Sequence, residues 1–93
     1  MASTDTLALP AQLTLPEARA ALETLEAAIA EASGPVTMDA SALTHIDSAT
    51  LAVLLQCRRS AQARQLGFSV QHAPQRLVDL ARLYGVEDLL ALA

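Results

Sequence analysis

The chain of 93 residues contains no tryptophan and no lysine, a single cysteine, three glycines, and only Phe68 and Tyr84 as aromatics. Each scarcity excludes something. One cysteine, Cys57, allows no internal disulfide, which is the usage of a reducing compartment rather than of a secreted disulfide scaffold. Three glycines leave no Gly-rich phosphate loop. All six bases are arginine and ten acids oppose them, for a formal charge of −4, so no basic field exists to gather nucleic-acid phosphates. No unbroken hydrophobic run exceeds five residues, Leu51 to Leu55 being one, against the ~18 that a membrane span needs. Met1 to Gln12 holds neither arginine nor lysine and does not read as a leader. These features point to a soluble, cytoplasmic protein without direct membrane insertion.

What is present is aliphatic. Hydrophobic residues make up 53% of the chain, with 20 alanines and 17 leucines among them, which excludes disorder and predicts a helix-prone core. The length fits one small domain over residues 1–93, with no cleft between domains.

Periodicity places the elements. Leu7, Leu9, Ala11 and Leu13 recur at spacing two and read as a half-buried strand; Pro10 cannot donate to a ladder, so this strand lies at an edge or breaks there. Thr14 and Glu17 are spaced as a capping box around Pro16, and Leu15, Ala18, Leu22, Leu25 and Ile29 form the stripe of a helix ended by Ser33-Gly34-Pro35. Val36 to Asp39 reads as an inner strand, followed by a polar loop and a brief extended step through His45 and Ile46. Asp47-Ser48 then offers an N-cap for a second helix, with Arg58, Arg59 and Arg64 complementing its negative end and Gly67 as its terminator. Phe68 to His72 alternates as a strand. Pro74 opens a third helix with Leu77, Leu80, Ala81 and Tyr84 on one face and Gly85 at its end, and Glu87-Asp88 starts a short last turn. Strand and helix alternate, so the fold class is α/β with a mostly parallel sheet and right-handed crossovers.

Catalytic frames are missing. Ser48 has no Gly-x-Ser-x-Gly elbow, and the histidines and cysteine show no metal-ligand spacing, so neither a cofactor nor a metal site is expected. Cys57, mid-helix beside Leu54 and Leu55, reads as a small buried hydrophobe, and His45 and His72 as loop histidines. The three arginines read as a solvated helix face, with a docking patch for an acidic partner as the alternative. Asp47-Ser48, taken alone, reads as a cap; a strand tip feeding a helix N-terminus also presents free backbone donors and a hydroxyl on a corner.

The run from Val36-Thr37-Met38-Asp39 through His45-Ile46-Asp47-Ser48 to Leu51-Ala52-Val53-Leu54-Leu55 resembles the central signature of STAS domains, the family that contains anti-sigma factor antagonists. The resemblance extends over most of the chain from Leu7 onward. It implies a single small STAS-like domain whose helices pack mainly on one face of the sheet. Leu80 to Val86 and the brevity of the chain make it most similar to the standalone STAS subunits of bacterial phospholipid ABC transporters. That similarity implies a non-catalytic subunit that docks on the transporter's cytoplasmic ATPase subunit, near the inner membrane through that partner, and supports assembly and activity in maintaining outer-membrane lipid asymmetry. The contact would centre on Asp47, Ser48, Ala49, Thr50 and Leu51. In anti-sigma factor antagonists the residue matching Ser48 is phosphorylated by an anti-sigma factor kinase, which turns binding off; this is the alternative role. The family usually places glycine just after the hydroxyl residue, where this chain has Ala49-Thr50, and usually has a further N-terminal strand, so one sheet edge is expected to be exposed or paired with another chain.

Overall fold

The computed structural model describes residues 5–92. Pro10 divides the first extended stretch in two. β1 (Asp5–Ala8) pairs in parallel with β3 (Val36–Asp39), whereas β2 (Gln12–Leu13) leaves that sheet and pairs in parallel with β4 (His45–Ile46). β3 also pairs in parallel with β5 (Phe68–Gln71), giving the strand order β1-β3-β5 with β1 at one edge. The predicted edge position and the predicted break at Pro10 are therefore both found. The further N-terminal segment, Met1 to Thr4, lies outside the described residues.

Among the described residues four helices complete the α/β fold: α1 (Leu15–Glu31), α2 (Ser48–Ala63), α3 (Gln75–Leu83) and α4 (Glu87–Leu90). Strand alternation decides where they pack. Val36, Met38 and Val70 are fully buried on one face with Leu7 and Phe68 beside them, while Thr6, Ala8 and Gln71 on the other face are exposed. On that second face Thr37 and Ser69 lie side by side, hydroxyl oxygens 3.5 Å apart. The apolar face meets Leu25 and Ile29 of α1, Leu54, Cys57 and Ala61 of α2, and Leu77 and Ala81 of α3 in one core.

Helix ends account for several departures from expectation. The second helix stops at Ala63, and Gln65, not Gly67, takes the left-handed conformation (φ 60°) that closes it, with the Leu66 N–H donating to the Ala61 carbonyl at 2.9 Å. Gly85 (φ 70°) does close α3 in the same way. The Arg64 side chain does not serve its own helix. Its guanidinium donates to the carbonyls of Ile29 and of Ala32 (2.7 Å) at the end of α1, the former also accepting from the Ala32 N–H, so the arginine patch loses one member. Leu15 and Tyr84 leave their predicted apolar stripes and stand exposed.

Candidate functional site

The parallel pairing of β2 with β4 brings Leu13 level with Ile46, so α1 and α2 begin side by side. At the start of α1 the Thr14 backbone N–H (2.9 Å) and hydroxyl both donate to Glu17, which holds that carboxyl below the usual carboxylate range. At the start of α2 the N-cap is Asp47. Its Oδ1 accepts from the Ala49 N–H at 2.8 Å and its Oδ2 from the Leu15 N–H at 3.1 Å, so one carboxylate serves the first turns of two helices. Thr50 completes the joint: its hydroxyl donates to the Leu13 carbonyl at 2.6 Å and accepts from the Asp47 N–H at 3.2 Å.

This joint divides the five predicted contact residues. Thr50 is 0%, Leu51 3% and Ala49 9% exposed, because one turn of helix directs them into the core and ties the Thr50 hydroxyl inward. Thr50 is withdrawn from the surface, while Ala49 and Leu51 show only narrow faces, in the linings of the depressions beside Ser48. Asp47, half-buried, and Ser48, exposed, remain at the corner, joined one turn on by exposed Ala52. The Ser48 hydroxyl makes no hydrogen bond among the described residues, and capping falls to Asp47 together with Thr50.

Ser48 stands between two apolar depressions. A groove of about 720 Å³ runs between α1 and α2 past Leu15, Leu22, Ala52 and Val53, and a smaller one of about 260 Å³ lies toward Leu55, Tyr84 and Val86; Ser48 and Ala52 line both. Around them Leu15 is 73% and Tyr84 57% exposed, and Leu83, 79% exposed, lines a third hollow beside Asp47. These flanking residues were missed from the sequence. The available signal was positional: Leu15 precedes Pro16 in a first helical turn and Tyr84 precedes the terminating Gly85, so each sits at a helix end where the stripe no longer faces the core.

The other chemistry-bearing side chains are not gathered here. Cys57 is fully buried, and burial, with Glu26 nearby, pushes its thiol up to about 12. His45 is exposed and meets the Thr44 hydroxyl at 3.0 Å. Asp39 accepts from the Ser41 N–H at 3.0 Å, which lowers its pKa. Among the described residues no group of three or more His, Cys, Asp or Glu side chains could hold a metal, and no helix is long and apolar enough to cross a membrane.

A family model described as "Mlab, STAS domain" matches residues 2–91. The chain belongs to the STAS domain family. A solved STAS domain structure, that of an anti-sigma-factor antagonist (STAS) domain protein from Planctomyces limnophilus, superposes with a TM-score of 0.78 at 16% identity, covering 94% of this chain and 79% of that one. At that identity the likeness carries the STAS fold. No curated protein matches the chain. STAS domains mediate protein–protein interactions, and the fold serves both anti-sigma factor antagonists and STAS subunits of transporters.

Proposed function

We propose that this STAS domain is a non-catalytic docking subunit of an MlaB-like kind, which binds the ATPase subunit of a phospholipid ABC transporter in the cytoplasm. There it supports the transporter's assembly and activity in maintaining outer-membrane lipid asymmetry. One observation carries the docking role: the exposed Ser48 corner is flanked by three large apolar side chains, Leu15, Leu83 and Tyr84, that water surrounds in the isolated chain. A polar centre with an apolar surround is the anatomy of a surface awaiting a partner. The description of the matching family model favours the transporter as its setting.

The test is an affinity pull-down of the tagged protein from its own cells, with mass spectrometry of the partners and of Ser48. Recovery of an ABC ATPase and permease with unmodified Ser48 supports the proposal.

A second role has its own support. Ser48 opens α2 with an accessible, unbonded hydroxyl, as a phosphorylation site requires, and a phosphate there adds about −1.5 to −2 charge beside Asp47. Recovery of an anti-sigma factor kinase with phosphorylated Ser48 would replace the transporter by an anti-sigma factor antagonist's switch.

A further inference from the structure

The groove between α1 and α2 has a defined floor, ends and charge. Leu15, Ala18 and Leu22 line one wall and Ala49, Ala52 and Val53 the other. The Asp47 carboxylate closes one end through Leu15; Glu26 closes the other, accepting from the Ser60 hydroxyl at 2.8 Å and the Gln56 amide at 3.3 Å. From Leu15 to Glu26 the groove follows twelve residues of helix, eleven steps of 1.5 Å or about 17 Å, the length of three helical turns.

The rim carries Glu23 and Glu26 as well as Asp47, against Arg19 alone, and none of these carboxylates forms an ion pair among the described residues. That charge selects among occupants. A second copy docked about a two-fold through this groove would bring Glu23 and Glu26 against their own kind, and an anionic lipid surface would meet both those carboxylates and a chain of net charge −4. A cationic segment of another protein meets neither obstacle.

We propose that the groove receives a helical segment of the partner, apolar toward Leu15, Leu22 and Ala52 and bearing arginine or lysine opposite Glu23 and Glu26. This rests on the docking role proposed above and names the chemistry of what docks. The interhelical groove supplies the apolar contact, and the two carboxylates fix the direction and register of the incoming helix.

Two probes test it separately. The first is a pair of helical peptides of about fifteen residues sharing one leucine face, flanked by lysine in one and by glutamate in the other, titrated into the full chain and followed by amide chemical shifts. The lysine peptide is expected to move the amides of Leu15 to Glu26 and Ser48 to Val53 and to bind at least about fivefold tighter than the glutamate peptide, a preference that Glu23→Gln reduces. Equal binding of the two peptides, or shifts confined to another face, would overturn the proposal, as would movement of the same amides on simple concentration of the protein or on addition of anionic vesicles.

The second probe is the ATPase subunit. Glu23→Lys is expected to weaken its binding about tenfold or more. Binding lost in Ser48→Glu but unchanged in Glu23→Lys would overturn the groove proposal and leave the docking role standing. An ATPase that fails to bind the unaltered chain would overturn the docking role, and the peptides would still decide the groove.

Discussion

Asp47 and Leu15, thirty-two positions apart, are joined by a 3.1 Å hydrogen bond from the Leu15 backbone N–H to the Asp47 carboxylate. The bond fastens the first turn of α1 to the N-cap of α2, and Arg64 fastens the far ends by donating to the last carbonyls of α1. The two helices thus lie alongside each other in the same direction, tied at both ends, with Ser48 held on the corner between them.

Asp47→Ala removes acceptors from both Ala49 and Leu15. The expected loss is about 1–2 kcal/mol, a fall in melting temperature of roughly 4–8 °C per kcal/mol for a chain of this size. Asp47→Asn keeps one acceptor oxygen and is expected to fall between the two. Thermal unfolding followed by circular dichroism ranks the three proteins.

Ser48 and Thr50 are expected to behave oppositely despite both carrying hydroxyls. Ser48→Ala deletes a hydroxyl without a partner on an exposed position, so stability changes by less than about 0.5 kcal/mol. Thr50→Val strands the Leu13 carbonyl and the Asp47 N–H in a buried site and is expected to cost about 1–3 kcal/mol, with Thr50→Ser costing less. Urea unfolding of the three variants measures the contrast.

Arg64→Ala leaves the Ile29 and Ala32 carbonyls at the end of α1 without their guanidinium donor. A loss of about 1 kcal/mol is expected, with faster hydrogen exchange in the last turn of α1. Arg64→Lys restores part of it, because a point charge replaces a planar fork. Unchanged exchange at Ile29 to Ala32 in Arg64→Ala would show that the cap is without consequence.

Cys57 gives a pH dependence of known sign. Burial raises the folded thiol from 9.0 to about 12, so the folded state holds its proton where the unfolded state has lost it. The thiol's contribution is complete below pH 9 and is lost between pH 9 and about 12, at a slope of roughly 1.4 kcal/mol per unit. Cys57→Ala is expected to flatten that part of the stability curve. At pH 8 the native thiol should react with a disulfide reagent only as fast as the chain opens.

The parts of this fold legible in the sequence are those set by short-range chemistry. Val36 to Asp39 is too short and β-branched for a helix, and Asp47 precedes an apolar helical run, so both could be placed from neighbours alone. Gly85 likewise marks a left-handed closure. The rest depends on distant partners. Nothing local says that Pro10 would hand the chain from one sheet to another, since that needs β4 to be waiting beside β2. Nothing near Arg64 points to Ile29. The periodicity that assigned Leu15 and Tyr84 to apolar faces was correct for the helices but silent about where the core stops, and those two residues, with Leu83, are what give the Ser48 corner its apolar surround.

The most direct test of the docking role is the affinity of Ser48→Glu for the ATPase subunit, measured by titration calorimetry beside the unaltered protein and with the fold of the variant checked by its melting temperature. Glutamate suits the first turn of α2, so the variant should melt within about 3 °C of the parent. The account predicts that this folded variant no longer binds, because a charge replaces a neutral hydroxyl at the centre of an apolar contact. Undiminished binding by a folded Ser48→Glu would contradict it.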